Sequence, residues 1–258
     1  MKKGKYNFFI FLLFTTLLTS CEKERNPIPK EKISIPTDEE ILGSVIKPQI
    51  IDEYIYPIQP GTPAWAELKT YAAKVEAVRI PDSILKVIST WGLVESCFKY
   101  PLYIDFSAFN DQVKYINDLE QTNSGFKELL SRDDAPLVLL YFYRNWDISP
   151  SSYYLKRYFV ELVIGSDKFV SRLNERQLLY LLSVALDKKE KQYDLYEGNV
   201  PPPYSFFVMA NSMIHYRYQP FIDYCAIVKN PSPNGMFYWR INASIEMIEE
   251  YARDLLDL

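Results

Sequence analysis

The fold is decided by the stretch Asn174-Glu175-Arg176-Gln177-Leu178-Leu179-Tyr180-Leu181-Leu182-Ser183. Asn174 and Gln177 have the spacing of a capping box, in which each side chain bonds the backbone N–H of the other residue. The leucine-rich segment that follows continues from Leu178 to about Lys191 without a glycine or a proline. This pattern predicts the longest helix of the chain.

Short helical patterns cover the chain from Thr62 onward. Thr62 can cap a helix that has Pro63 at its first position and one apolar face from Trp65 to Val78. Pro81 opens the next helix, and Ser89 or Thr90 caps a third. The remaining candidates span 109–119, 124–130, 134–146, 150–164, 166–173, 205–215, 221–228 and 244–258.

Strand signals are few, and strands and helices do not alternate. The sequence therefore predicts an all-α fold, an irregular array of short antiparallel helices. A weak internal similarity links residues 79–89 to residues 172–183, but it needs a one-residue insertion and has no fixed period. A bundle and a short α-solenoid both remain open.

The N-terminus has the features of an export signal. Three lysines precede an uncharged apolar run from Phe8 to Leu18, and the run ends in Leu18-Thr19-Ser20-Cys21. An apolar run of this length is typical of a signal peptide and too short to span a bilayer. The final tetrad resembles a bacterial lipobox, which implies an acylated Cys21 and a lipid anchor in the cell envelope, and we expect the membrane to be the outer membrane.

Three segments follow from this interpretation. Residues 1–20 form a lipoprotein signal peptide, residues 21–60 a lipidated cysteine and a proline-rich tether, and residues 61–258 an all-helical domain. Residues 50–56 are apolar enough to form a strand or an edge laid on the domain instead. Whether the anchored protein faces the periplasm or the cell surface is left open.

Composition excludes some classes of partner. The chain has 258 residues with 29 Lys and Arg against 33 Asp and Glu, a net charge of -4. Removing residues 1–20 removes three lysines, leaving 26 basic against 33 acidic residues and a charge of -7. No basic surplus is available for phosphates, so we expect no nucleic-acid partner. With eight glycines, nucleotide-cradling loops are disfavoured, and no cofactor is predicted.

One region is similar to known proteins. It contains Pro63-Ala64-Trp65-Ala66-Glu67-Leu68, Ile80-Pro81, Ile88-Ser89-Thr90, Gly92-Leu93-Val94-Glu95, Tyr100-Pro101-Leu102 and Arg132-Asp133-Asp134-Ala135. Over about residues 63–145 this pattern resembles uncharacterised all-helical lipoproteins of gut Bacteroidetes. The matching positions are caps, turn formers and apolar contacts. The resemblance implies a helical fold and no particular activity.

No catalytic or metal-binding motif stands out. His215 is the single histidine, too few for a histidine-rich zinc site, and we expect it to be structural. The acid pairs 133–134 and 249–250 are adjacent on helices and do not face each other, so we expect Asp134 to be a helix N-cap and the two glutamates to lie on a solvated face. With Cys21 acylated, Cys97 and Cys225 remain; a disulfide between them is possible, although two free, buried thiols are favoured.

Aromatic residues support the most specific hypothesis. Tyrosine and tryptophan have amphipathic rings that serve as binding platforms, although most aromatics at helical spacing fill cores. The candidates for ligand binding are Trp91, Trp146, Trp239 and Tyr238, together with the runs 141–143, 153–154 and 216–218. We therefore expect a non-enzymatic binding or scaffold module for a glycan, a peptide or an envelope protein. The alternative is a hydrolase acting on glycan or peptidoglycan, with acids assembled by the fold.

Overall fold

The computed structural model describes residues 33–109, 111–147, 154–195, 204–228 and 243–257. Within these ranges the regular structure is helical, without strands, which confirms the all-α prediction. A 3-10 helix spans Tyr103–Ala108. The α-helices are α1 Asp38–Leu42, α2 Pro63–Glu67, α3 Tyr71–Ala77, α4 Asp82–Leu85, α5 Thr90–Phe98, α6 Gln112–Thr122, α7 Ser124–Ser131, α8 Ala135–Asn145, α9 Tyr154–Ile164, α10 Asp167–Val170, α11 Glu175–Leu195, α12 Ser205–His215, α13 Gln219–Ile227 and α14 Ile245–Leu256.

The capping box at the start of α11 forms as predicted. The backbone N–H of Asn174 donates to Oε1 of Gln177, and the N–H of Gln177 donates to Oδ1 of Asn174, both over 2.9 Å. The predicted caps of α2 and α5 also form, since Thr62 accepts from the N–H of Trp65 and Ser89 from that of Gly92. Local hydrogen bonds thus set these three helix starts.

Two local predictions need correction. The single helix expected from Thr62 to Val78 is divided into α2 and α3, because the Thr70 hydroxyl accepts from the N–H of Ala73 and starts a second helix. Asp134 lies at the N-cap of α8, but its carboxylate accepts from the Thr90 hydroxyl over 2.8 Å instead of capping the backbone.

Residues 33–60, which the sequence assigned to a tether, lie against the helices. Ile41, Leu42 and Tyr56 are buried in the core. The N–H of Tyr54 donates to the hydroxyl of Ser96 on α5 over 2.7 Å. Part of this segment therefore packs against the helices through Ile41, Leu42, Tyr54 and Tyr56, whereas the side chains of Ile46, Ile50 and Ile55 are exposed. Residues 1–32, with Cys21, lie outside the described residues.

Nine consecutive α-helices of the described residues form three groups of three: α3 to α5, α6 to α8 and α9 to α11. The short middle helices α4, α7 and α10 begin at Asp82, Ser124 and Asp167, which are 42 and 43 residues apart. Two arginines repeat one contact: Arg132 donates to the carbonyls of Leu85 and Ile88, and Arg172 to those of Leu130 and Arg132. One class of helical solenoid has repeats of about 40–47 residues. The spacing favours a short, irregular solenoid over a bundle.

One hydrophobic core runs through the array, and α12 is buried among the helices of the later half of the chain. Every residue from Ser205 to Met213 is buried, as expected for a helix that is apolar on all sides. This helix contacts α9, α10, α11, α13 and α14. A Cβ at Gly165 would lie 2.6 Å from the Phe207 ring, so a glycine is needed for α12 to approach this closely.

Candidate functional site

A cleft of about 180 Å³ lies between α5, the end of α8 and the first turn of α9. Its aromatic lining comprises Trp91, Phe98, Tyr141, Phe142 and Trp146, and its polar lining comprises Lys47, Glu95, Lys99, Asn145, Asp147 and Lys156. Residues three or four apart share a helix face, which brings Trp91 and Glu95 together on α5 and Phe142 and Trp146 together at the end of α8. Lys47 comes from the N-terminal segment.

The aromatic rings form two ordered groups. Phe142 stacks on Phe98 with ring centroids 4.6 Å apart and planes 9° apart, and it also stacks on Trp146 at 6.3 Å and 16°. Trp91 meets Tyr141 edge to face, with centroids 5.1 Å apart. Phe98 is buried in the core, whereas the other four rings are half-buried. The cleft therefore has aromatic walls supported from the core.

Two of the four predicted aromatic site residues meet here. Trp91 lies on α5 and Trp146 directly follows the last residue of α8, and the packing of α5 against α8 brings both to one cleft. Trp239 and Tyr238 lie outside the described residues. Of the predicted run 141–143, Tyr141 and Phe142 line the cleft, while Tyr143 points into the core.

The polar residues of the cleft were not predicted. The ammonium of Lys99 contacts Glu53 and lies 3.8 Å from the carboxylate of Glu95. Burial lowers the pKa of Lys156, and the charge of Lys99 lowers it further, with partial compensation from Glu95 and Glu53. A single lysine in a helical sequence is ordinarily exposed to solvent. No sequence signal therefore identifies Lys156 as a residue of the cleft.

A polar network lies behind this wall, inside the core. The Tyr143 hydroxyl donates to Oε1 of the buried Glu161 over 3.1 Å. Burial raises the pKa of Glu161 to about 7, against the opposing effects of Arg157, Tyr143 and Lys188. Burial also lowers the pKa of Lys188 to about 8, and Glu161 opposes this shift. Burial therefore shifts the pKa values of both Glu161 and Lys188 toward neutrality.

The hydrolase hypothesis required two acids with shifted pKa values in one cleft. Burial raises the pKa of both Glu161 and Asp105. Glu161 belongs to the core network, and Asp105 accepts a hydrogen bond from the Tyr71 hydroxyl over 2.8 Å. Neither carboxylate lines the aromatic cleft. The described residues thus offer no observation that favours hydrolysis.

The two cysteines of the helical domain are free thiols, not a disulfide. Cys97 is buried on α5, where its sulfur faces Gly125 of α7, at 3.3 Å from the position of an added Cβ. Cys225 is half-buried on α13. Burial raises the pKa of both thiols. Because each sulfur packs in its own surroundings, the bridge considered from the sequence is not formed.

His215 has a structural contact. Its Nε2 atom lies 3.1 Å from Oδ1 of Asp167, which connects the end of α12 to the start of α10. No group of three or more His, Cys, Asp or Glu suited to a metal ion occurs among the described residues. In the same ranges, no helix has both the length and the apolarity needed to cross a membrane. No family model, curated protein or solved structure matches the chain.

Proposed function

We propose that this protein is a lipid-anchored module of the bacterial cell envelope that binds a glycan in the aromatic cleft. The observation that carries the proposal is the meeting of Trp91 and Trp146, from two helices, in one cleft with Tyr141 and Phe142. Four half-buried aromatic rings, which come from α5 and from the end of α8, are gathered at one place on the surface. Because these rings are only half-buried, they leave apolar surface next to polar side chains.

The chemistry of the lining suits a sugar ring. A pyranose has an apolar face of C–H groups, which packs on an aromatic ring, and hydroxyls at its edge, which need hydrogen-bond partners. Asn145, Glu95 and Asp147 lie at the same cleft and offer amide and carboxylate groups. The volume of about 180 Å³ is below the roughly 300–1,000 Å³ of pockets for drug-sized ligands. The cleft therefore suits one sugar residue, such as a chain end.

The anchor is proposed from the sequence. Lys2 to Cys21 has the pattern of a lipoprotein signal peptide, and several acyl chains at about 0.8 kcal/mol per buried methylene hold a protein stably on a bilayer. An outer-membrane lipoprotein would hold the cleft close to envelope and environmental glycans. Metabolic labelling with an alkyne fatty acid tests the anchor: the label should be incorporated in the wild type and lost in Cys21→Ser.

Glycan binding is tested with the full-length lipidated protein in detergent, applied to an array of bacterial, plant and host glycans. A ligand at about 100 times its Kd stabilises a protein by about 2.7 kcal/mol, which for this size corresponds to a rise in Tm of roughly 5–11 °C. Binding to at least one glycan and this thermal shift are expected. An empty array would contradict the proposal.

Matched tryptophan variants locate the site. Trp146→Ala should weaken binding by at least about tenfold, because aromatic anchors in a binding site contribute 1.4 kcal/mol or more. Trp65→Ala is the control, since Trp65 lies on α2, outside the cleft, under the ammonium of Lys74. Equal weakening by both variants would show a general effect on folding and would contradict binding in the cleft.

A further inference from the structure

The charges that line the cleft are unequal. Three lysines face two acids: Lys47, Lys99, Lys156, Glu95 and Asp147. Lys99 is neutralised by Glu53 and Glu95. Asp147 is engaged in an interaction of its own. With Glu53 included, three acids stand against three lysines, but Glu53 and Glu95 both contact Lys99, so the ammonium groups of Lys156 and Lys47 are left without a contacting acid among the described residues.

Lys156 and Lys47 have no acidic partner within the described part of the chain. No carboxylate oxygen there lies within 4.0 Å of either ammonium. Lys47 is exposed and hydrated, but Lys156 is half-buried beside the aromatic wall. A cation that loses water without gaining a partner is unfavourable, and an anion supplied by a ligand would remove this cost.

We propose that the sugar residue recognised by the cleft carries an anionic substituent, a carboxylate or a sulfate, that binds the ammonium of Lys156. This inference rests on the glycan-binding function proposed above and names its ligand class. The ring of the sugar packs on the aromatic wall, and the anionic oxygens accept hydrogen bonds from Lys156, with Lys47 at the rim adding a second positive charge. Carboxylate and sulfate share this chemistry and differ in source.

The acidity of the whole protein does not oppose this selectivity at the cleft. The mature chain has a charge of -7, with 26 basic and 33 acidic residues. At physiological ionic strength the Debye length is about 8 Å, so distant surface acids are largely screened from a bound ligand. A half-buried ammonium in direct contact with the anion is screened much less. The ammonium in direct contact with the ligand therefore decides whether an anionic or a neutral sugar binds more tightly.

The test uses the full-length lipidated protein and glycans in matched groups. Each group contains one glycan with a hexuronic acid, the same glycan as its methyl ester, and a sulfated counterpart with its unsulfated form. We expect at least about tenfold tighter binding of an acidic member than of its neutral partner, since a hydrogen bond to a charged group contributes about 1.5–3 kcal/mol. The uronate and sulfate arms show which anion is preferred.

Lys156→Gln should remove this preference, so that acidic and neutral partners bind equally. Lys127→Gln, an exposed lysine of α7 outside the cleft, should retain it. Equal binding of both partners by the wild type would overturn the anionic ligand and leave glycan binding intact. Binding of no glycan, acidic or neutral, would overturn the proposed function itself. A preference that survives in Lys156→Gln would overturn the assignment to this lysine.

Discussion

The ammonium of Lys188 donates a hydrogen bond to the backbone carbonyl oxygen of Trp146 over 2.9 Å. Lys188 belongs to α11 and is buried, whereas Trp146 follows the last residue of α8 and lines the cleft. Carbonyls at the end of a helix have no partner within the helix. An interior lysine thus completes the end of α8 and fixes the backbone that carries a cleft tryptophan.

Replacing this lysine should weaken glycan binding, although Lys188 itself does not line the cleft. Lys188→Met keeps most of the side-chain volume but leaves the Trp146 carbonyl without its donor. A hydrogen bond from a charged donor contributes about 1.5–3 kcal/mol to stability. Only the part of this energy that orders Trp146 affects the ligand, so we expect glycan binding to weaken about two- to tenfold. Isothermal titration calorimetry measures this change. Lys191→Met is the control, because Lys191 lies on the same helix, is exposed, and pairs with Asp187.

The second prediction concerns pH and Glu161. Its ordinary pKa of 4.5 rises to about 7 in the folded protein because of burial. The folded state therefore binds this proton more tightly than the unfolded state does. The resulting stabilisation is fully present below about pH 4.5 and is lost as the pH rises through about 7. At 1.36 kcal/mol per pKa unit the loss is on the order of 3 kcal/mol.

Glu161→Gln should remove this dependence, because the amide does not ionise and its oxygen still accepts from the Tyr143 hydroxyl. Urea denaturation at pH 5 and pH 8 measures it. We compare the difference in free energy of unfolding between Glu161→Gln and the wild type at each pH. This difference should favour the variant more at pH 8 than at pH 5. Glu250→Gln, on the exposed side of α14, serves as the control. Parallel pH profiles of Glu161→Gln and wild type would refute the ionisation assigned to Glu161.

What the sequence predicts well depends on the range of the interactions. The capping box of Asn174 and Gln177 forms between residues three apart, so spacing alone specifies it. The chemistry of Trp91 and of Trp146 predicts each residue separately as a site candidate, but their meeting depends on the packing of α5 on α8. That packing is the sum of many apolar contacts, which no single motif encodes.

Two features were missed for the same reason. The prolines before residue 60 indicate an extended tether, yet Ile41 and Tyr56 are buried against helices far along the chain. Lys156 lies beside the aromatic rings of the cleft, and no carboxylate of the described residues comes within ion-pair distance of its ammonium. In both cases the deciding partner is distant in sequence, and periodicity reports only on near neighbours.

The third prediction concerns the arginine that joins the repeated helix groups. The guanidinium of Arg132 donates to the carbonyl oxygens of Leu85 and Ile88 over 3.0 and 2.7 Å, and to Glu128 over 3.0 Å. A lysine cannot reproduce this fork. Arg132→Lys should lower the free energy of unfolding by about 2–3 kcal/mol, since at least one charge-assisted hydrogen bond is lost. Urea denaturation measures the loss.

Arg79→Lys is the matched control for that variant. Arg79 forms an exposed ion pair with Asp82, with side chains 52% and 72% accessible. Such surface pairs contribute about 0–1 kcal/mol, and lysine can replace arginine in them. A loss of stability in Arg79→Lys as large as in Arg132→Lys would show that the carbonyl contacts of Arg132 have no special role.

The last prediction concerns the contact between the N-terminal segment and α5. A Cβ at Gly92 would lie 2.5 Å from the backbone carbonyl oxygen of Asp52, too close for any real contact. The Asp52 carboxylate accepts from the N–H of Ser89 over 2.7 Å, so this segment also holds the start of α5. Gly92→Ala therefore has two opposing effects: about 1 kcal/mol of improved helix propensity and a clash that typically costs about 1–3 kcal/mol.

We expect the clash to dominate, because its partner is backbone and cannot rotate away. Gly92→Ala should release the segment around Asp52, lower the Tm and increase proteolytic cleavage between residues 43 and 60, as followed by mass spectrometry. Asp52→Ala removes the contact to Ser89 without adding an atom at Gly92, and it should give the same cleavage pattern. A Gly92→Ala variant with a raised Tm and unchanged cleavage would mean that helix propensity outweighs the clash and that the segment does not press on α5.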